Sequence, residues 1–367
     1  MKKKKVAILF GGKSGEHEVS IMSARSVAAA IDKKKYDVVP IHITKDGRWL
    51  SPAASHKVLG TNYEELIHAG AEEKLKVQER SVSALALRNR FAFDFQSEKI
   101  EIVFPVLHGP YGEDGTVQGL LEMLNVAYVG CGVLASSLAM DKAMAKVHFE
   151  HAGLNVGKYF SVMRGEVESH LKKIIATAER DLKYPVFIKP ANLGSSVGIS
   201  KAHNRSELTR GLNFAAQFDR KILLEAFIDA REIEVAVLGN EDVAASVAGE
   251  VEPCNEFYDY EAKYVKGDSR LTIPAALPRK VIAQIRKAAV AAYTALNCEG
   301  MARVDFFLER RTGKIFINEI NTIPGFTSIS MYPKMFAAAG VSYPSLISRL
   351  IDLALARHHD RRRNKVS

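Results

Sequence analysis

At 367 residues, 47% apolar and 25% charged, the chain has the make-up of an ordinary soluble globular protein, and its length favours two or three domains over one core. Its formal charge of +9 is partly terminal, in Lys2 to Lys5 and in Arg357, Arg361, Arg362, Arg363 and Lys365, which predicts solvated ends; basic residues interleaved with aromatics, the mark of a nucleic-acid surface, are not visible. Cys131, Cys254 and Cys298 lack C-x-x-C spacing, which argues against a disulfide framework or a zinc site and fits a reducing cytoplasm, and no segment is long enough to span a bilayer.

Val6 to Phe10 reads as a short buried strand behind a basic start, and its apolar run stops at Gly11-Gly12, too soon for a signal peptide. GGKSGEHEVS follows, then an Ala-rich helical pattern from Ile21 to Ile31. Strand, glycine turn and helix together open a doubly wound α/β unit. Gly12-Lys13-Ser14 resembles the end of a phosphate loop, but Ala7 replaces the leading glycine of G-x-x-x-x-G-K-[ST], and G-x-G-x-x-G is absent too. Glu16 and Glu18 fall near the helix N-terminus, where acids are common on dipole grounds alone. Val38 to Ile43 is the next strand, and residues 45 to 98 turn polar and irregular, as a loop-rich insertion with a hairpin. Ile100 to Leu107 runs into HGPYGEDG at 108 to 115. Ligands gather at the carboxyl ends of α/β strands, so His108 and Glu113 stand where a site would lie, although a histidine there is also a common structural residue. Leu120 to Asn125, Ala127 to Val129 and the Gly130–Gly132 turn complete the domain. Ser136 to Phe149 reads as one helix carrying Met140-Asp141-Lys142.

Tyr184 to Lys189 is a strand ending in lysine, followed by Pro190 and ANLGSSVG at 191 to 198. A glycine loop of this kind either cradles an anion with backbone N–H groups beside the Lys189 charge or is a plain turn. KILLEAFIDAREIEVAVL, 221 to 238, is a strand, a short break and a second strand; it offers backbone groups for a purine and Glu232 for a ribose hydroxyl. EFYDYEAKYVK, 256 to 266, crowds acids, aromatics and lysines into a polar loop, either mobile surface or an active-site lid, with Lys263 and Tyr264 the groups that offer chemistry. Ile282 to Leu296 is an amphipathic helix.

GMARVDFFLERRTGKIFINEINTIPGF, 300 to 326, holds two apolar-rich runs around Thr312-Gly313 and predicts a β-hairpin. A turn centred on Thr312 sets Asp305 across from Glu319 and Arg303 across from Asn321. Carboxylates in direct opposition repel unless something positive sits between them. Asp, Glu and Asn offer hard oxygen donors, which suit Mg²⁺ held jointly with nucleotide phosphates; acids on a solvated face are the alternative. Behind the hairpin, the Gly325 N–H and Arg303 are placed to stabilise negative charge.

Taken in order, GGKSGEHEVS, HGPYGEDG, MDK, KPANLGSSVG, FYDYEAKY, GMARVDFF and INEINTIPGFTSIS resemble the D-alanine:D-alanine ligases of the ATP-grasp superfamily, from Val6 to about Leu355. The resemblance implies an α/β chain: an N-terminal doubly wound parallel-sheet domain, 1–135, then a two-lobed ATP-grasp fold, with a central lobe at 136–228 and a C-terminal lobe at 229–367. It implies ATP between two antiparallel sheets, with Asp305, Glu319 and Asn321 holding two Mg²⁺ ions, Mn²⁺ being able to substitute. Lys142, Lys189, Ser196 and Lys263 would meet phosphates, Glu225 with the backbone at Phe227 and Ile228 the adenine, and Glu232 the ribose.

Glu16, helped by Ser195 and Tyr264, would bind the first D-alanine's ammonium group, with His108 beside that substrate and Ser330 at the second substrate's carboxylate. The implied reaction joins two D-alanines through an acyl-phosphate for peptidoglycan precursors. Arg303 and the Gly325 N–H would stabilise the oxyanion, Ser195 and Tyr264 would be candidates for moving the amine's proton, and 191–198 and 256–268 would close as lids. A cytoplasmic homodimer acting on small molecules, without nucleic-acid or membrane partners, is the expectation. The alternatives are a D-lactate- or D-serine-adding ligase, from whose D-lactate branch Tyr264 in EAKY departs, and a nucleotide-binding protein without catalysis, which would be expected to have lost an acid or Arg303.

Overall fold

Lys4–Gly11 (β1), Tyr36–Ile43 (β2), Ile102–Pro105 (β3) and Ala127–Tyr128 (β4) pair in parallel in the order β2-β1-β3-β4. Val6 to Phe10 of β1 are wholly buried, because a parallel strand is covered on both faces; that is why the run is apolar throughout instead of alternating. Val6, Ile8 and Phe10 meet helix His17–Ala30 (α1) and helix Pro52–Gly60 (α2), while Ala7 and Leu9 face helix Thr116–Met123 (α3). The computed structural model describes residues 2–60, 94–252 and 270–365. Within the stretch expected to be a loop-rich insertion with a hairpin, Ile43 and Trp49 form an antiparallel bridge, and helix α2 is a correction to that expectation for residues 52 to 60.

The single helix expected over 136 to 149 is two, Val133–Met140 (α4) and Lys142–His151 (α5). Asp141 between them is extended, and its carboxylate accepts from the N–H groups of Ala143 and Met144, the capping role that favours Asp at a helix start over its interior. The break puts Lys142 at the first position of α5.

Tyr159–Met163 (β5), Arg164–Asp181 (α6), Val186–Pro190 (β6), Ser200–Ala202 (β7), Arg205–Phe218 (α7) and Lys221–Ala226 (β8) form an antiparallel sheet of order β5-β8-β6-β7 with two helices. Among the described residues its core, including Val162, Ile188, Leu208, Leu212 and Leu224, draws on these elements and their connections.

A second antiparallel sheet runs β11-β10-β9-β12-β13, from Ala230–Gly239 (β9), Ala244–Glu252 (β10), Arg270–Thr272 (β11), Gly300–Glu309 (β12) and Ile315–Asn321 (β13). Helix Arg279–Ala295 (α8) packs Tyr293 and Ala289 over Val235, Val304 and Phe306, and Ala135, Ala139 and Phe149 of α4 and α5 enter the same core. Elsewhere Leu238 and Met301 join the core of the N-terminal sheet through Met331–Ala338 (α9) and Tyr343–Arg361 (α10), with Phe326 edge-on to Phe104 and tilted against Tyr332.

The N-terminal and C-terminal parts therefore share one interior, and their backbones nearly touch: a Cβ on Gly300 would come within 3.2 to 3.3 Å of the Gly130 backbone. Arg357 corrects the expectation of solvated basic ends. It is 6% exposed, its guanidinium donates to the Gly130 and Tyr128 carbonyls, and it stacks 4.5 Å from the Tyr128 ring centroid. Arg361 pairs with Glu122, while Arg362 and Arg363 are exposed as expected. A charge at the end of a long helix has found unsatisfied carbonyls at a strand end, which needs the tertiary fold to bring them together.

Candidate active site

Between the two antiparallel sheets lies a cleft of about 1060 Å³. Of the residues expected at a site, Glu16, His108, Lys142, Lys189, Ser195 and Ser196 line it, as do Glu225, Phe227, Ile228, Glu232, Arg303, Asp305, Glu319, Asn321, Gly325 and Ser330. Residues scattered over three hundred positions thus face one space. Lys263 and Tyr264, and with them the expected lid at 256–268, lie outside the described residues.

One wall is the hairpin β12–β13. Asp305 stands opposite Glu319 and Arg303 opposite Asn321, as the sequence predicts, but by another route. Near the turn Leu308 pairs with Ile315 and Glu309 bonds Lys314, a register that would set Asp305 against Asn318; one extra residue at Asn318 bulges out and restores the pairing. On its other side Asp305 faces Glu234 of β9. Glu234, Asp305 and Glu319 therefore form a row of carboxylates across three adjacent strands, and period two places Glu232 on the same face.

The positive group between these acids is Arg303. It donates to both Asp305 oxygens at 2.7 and 2.6 Å and lies 3.1 Å from Glu234. Burial alone would lower its pKa, and Asp305 and Glu234 outweigh that and hold it far above its ordinary value. Asn321 Nδ2 adds a bond of 3.0 Å to Asp305. Among the described residues no three or more His, Cys, Asp or Glu form a ready metal cage; the set here is two carboxylates and an amide. That set fits Mg²⁺. A carboxylate has about four lone-pair sites, of which Arg303 and Asn321 take three on Asp305; with Glu319 beside it, one or two carboxylates are what Mg²⁺ ordinarily uses together with phosphate oxygens.

The other wall reverses the signs. Glu225, 7% exposed on β8, lies 2.6 Å from Lys146 of α5 and 2.6 Å from Lys189 of β6. Burial pushes its carboxyl up, but the two ammonium groups prevail and hold it at about 2. The same balance, burial against Glu225, leaves Lys189 above its ordinary range. Lys142, one helical turn before Lys146, is lowered by burial against the opposing pull of Glu319, and it donates to the Leu193 carbonyl at 2.5 Å, tying α5 to the glycine loop. Lys201 lies 4.2 Å from the Phe227 ring centroid, and Phe227 is tilted against Phe187.

Over the N-terminal end of the cleft the loop 193–198 lies against Glu16. A Cβ on Gly194 would come 3.1 Å from Glu16 Oε2, and one on Gly109 would come 3.5 Å from it. Ser195 and Ser196 hold φ of 50° and 60°, two successive non-glycine residues in the left-handed region, the kind of local strain found at ligand clamps. Glu113 accepts from the Gly109 N–H at 2.7 Å, and burial together with nearby Glu16 raises its carboxyl to about 8. His108 has both ring nitrogens engaged by protein groups, Ser23 Oγ at 3.3 Å and the Ile323 carbonyl at 3.1 Å, and burial lowers its pKa. The Ser330 hydroxyl accepts from the Thr327 N–H at 2.9 Å.

Lys146 and Glu234 were not picked out from the sequence. Each carried a signal: Lys146 follows Lys142 by four, one face of a helix, and Glu234 follows Glu232 by two, one face of a strand.

Two antiparallel sheets enclosing a cleft with one cationic and one anionic wall, behind a parallel-sheet domain, define an ATP-grasp ligase architecture. The family model described as D-ala D-ala ligase N-terminus matches residues 5–131, and that described as D-ala D-ala ligase C-terminus matches 148–352. A D-alanine–D-alanine ligase of Chloroherpeton thalassium is 57% identical over 100% of both chains, and one of Acetivibrio thermocellus is 48% identical over 98% of this chain and 97% of its own. Among solved structures, the D-alanine–D-alanine ligase of Coxiella burnetii aligns with TM-score 0.80 at 33% identity, over 99% of this chain and 97% of that one. The VanG D-Ala:D-Ser ligase of Enterococcus faecalis aligns with TM-score 0.79 at 35% identity, over 96% and 100%. The chain belongs to the D-alanine–D-alanine ligase family.

Proposed function

We propose that the protein joins two D-alanines to D-alanyl-D-alanine with cleavage of ATP to ADP and phosphate, for peptidoglycan precursor synthesis. The observation that carries this is the pair of oppositely charged walls: one suits the phosphates of ATP, the other the metal and the developing oxyanion. Family membership supplies the substrates.

In this reading Lys142, Lys189, Ser196 and Lys263 hold the phosphates, Glu225 with the backbone at Phe227 and Ile228 receives the adenine, and Glu232 receives the ribose. Glu16 takes the first D-alanine's ammonium group, with Ser195, Tyr264 and His108 beside it. The carboxylate of that first D-alanine attacks the γ-phosphorus of ATP, the bond to ADP breaks, and an acyl-phosphate results. The amine of the second D-alanine, with its carboxylate at Ser330, then attacks the acyl carbon and expels phosphate. Arg303 and the Gly325 N–H stabilise the tetrahedral oxyanion. Ser195 and Tyr264 are the groups offered for the amine's proton.

Asp305, Glu319 and Asn321 would hold two Mg²⁺ ions, or Mn²⁺ in their place, which supply charge neutralisation between attacking carboxylate and phosphates. Asp305, bonded to Arg303 and Asn321, sets the oxyanion group beside the residues that would hold the metal.

The three units are taken as 1–135, 136–228 and 229–367. A cytoplasmic homodimer is the proposed state of the protein. No described helix is long and apolar enough to cross a membrane. Exposed Met123 and Leu134 on neighbouring helices α3 and α4 offer apolar surface for a second copy.

The test is phosphate release from ATP and Mg²⁺ with D-alanine as first substrate and D-alanine, D-serine, D-lactate or L-alanine as second. D-alanine is expected to be the best second substrate, with dipeptide equal to phosphate; a preference for D-lactate or D-serine would overturn the reading. The D-serine arm is included because the Enterococcus faecalis structure is so similar.

A further inference from the structure

The Gly325 loop belongs by sequence to the C-terminal lobe, yet it is held from outside by α1 of the N-terminal domain. Ile323 and Phe326 flank Pro324-Gly325 on its two sides. The Ile323 carbonyl is 3.1 Å from His108 Nδ1, and the Phe326 N–H donates to Ser23 Oγ at 3.3 Å. Ser23 Oγ and His108 Nε2 are themselves 3.3 Å apart. Ser23 is 0% and His108 5% exposed.

The donors and acceptors close in one way. A carbonyl can only accept, so Nδ1 carries the proton. In the neutral imidazole Nε2 is then an acceptor, so the Ser23 hydroxyl must donate to it, leaving the Ser23 lone pairs for the Phe326 N–H. The path Ile323–His108–Ser23–Phe326 uses each polar group once and spans the Gly325 peptide. Tyr343 reinforces it, donating to the Phe326 carbonyl at 3.0 Å with its hydroxyl 3.1 Å from Ser26 of α1.

We infer that Ser23 is a positioning residue, which with neutral His108 fixes the Gly325 N–H at the place where the oxyanion forms. This deepens the proposed reading and rests on its assignment of Gly325 and Arg303. Ser23 touches no substrate; it acts through the backbone on either side of Gly325. It also gives His108 a task other than contact with the first substrate.

The experiment compares the wild-type chain with Ser23→Ala, Ser23→Cys and Ser23→Thr, scoring ADP and dipeptide separately. Cys keeps the volume with a weak hydrogen-bonding group, and Thr keeps the hydroxyl. Losing the clamp leaves acyl-phosphate formation in place and slows attack by the second amine, so the intermediate is hydrolysed. In the Ala and Cys variants we expect kcat for dipeptide to fall about ten- to a hundred-fold, less than deletion of an oxyanion donor itself. ADP formed per dipeptide should rise well above one, KM for ATP should stay within about twofold, and Thr should restore the ratio. A ratio of one in the Cys variant overturns the inference, as does a Thr variant uncoupled as strongly as Cys, since packing would then be the cause. If Arg303→Ala too keeps the ratio at one, the oxyanion assignment beneath it fails; if that variant uncouples while Ser23→Cys does not, only the clamp fails.

Discussion

The two walls of the cleft use one device with the signs exchanged. On the central-lobe side a buried anion, Glu225, sits between two cations, Lys146 and Lys189; on the C-terminal side a buried cation, Arg303, sits between two anions, Asp305 and Glu234. Neither cluster is evidently there for stability, because desolvating such groups offsets most of the attraction between them. The difference lies in the surplus. With Lys142 the first wall is left cationic, and with Glu319 and Glu232 the second is left anionic, so a polyphosphate and a divalent ion each find a wall that lacks what they bring.

The largest effect should come from removing the anionic surplus. Glu319→Gln is expected to lower metal-dependent turnover at least about a hundredfold with the thermal midpoint little changed, as measured by phosphate release and melting. Full activity would mean that the row of acids does not hold the metal.

Arg303→Ala should come next and should separate the two steps: dipeptide synthesis falls more than ATP binding, measured by calorimetry. It should also cost about 3–5 kcal/mol of stability, since Asp305 and Glu234 lose their shared cation. Equal loss of binding and synthesis would make Arg303 a structural ion only.

On the opposite wall Glu225→Gln leaves Lys146 and Lys189 without their anion. We expect a loss of about 3–5 kcal/mol in ligand-free protein, part of it recovered with saturating ATP, which binds the folded state only. ATP stabilising this variant as much as it stabilises wild type would mean that Glu225 does not receive the adenine.

The smallest effect is in pH. The Glu225 carboxyl is held at about 2 in the folded protein against an ordinary 4.5, so its contribution is fully present above 4.5 and is lost as pH falls from there towards 2. The contribution is on the order of 3 kcal/mol. Denaturant melts from about pH 5 to about pH 2.5 should show this decline in wild type and a shallower one in Glu225→Gln.

The hairpin was legible because its chemistry is local. Asp305, Glu319 and Asn321 sit on two strands joined by a short turn, and strand periodicity alone nearly fixes who faces whom. Even there the bulge at Asn318 decided the register, and nothing in the run KIFINEIN marks it. The motifs at 108–115 and 189–198 stood at strand ends where a site would lie, whereas 11–20 was readable as a site segment only through the family resemblance. Arg357 was not: read as part of a basic tail, it is buried at the junction of two domains, a position that depends on where a long helix ends in space. The split of 136–149 at Asp141 was readable in principle, since the aspartate of MDKAM is the residue type that begins helices rather than continuing them.

The sequence by itself determined most of the elements, the family and a set of polar residues that face the cleft, because apolar period, turn chemistry and motif order are properties of neighbouring positions. Tertiary structure alone decided the pairing of polar groups: Glu225 with Lys146, Arg303 with Glu234, and the Gly325 loop with Ser23 some three hundred residues earlier. Electrostatic attraction and hydrogen bonding act over a few ångströms in space, irrespective of distance along the chain, so only folding could choose these partners.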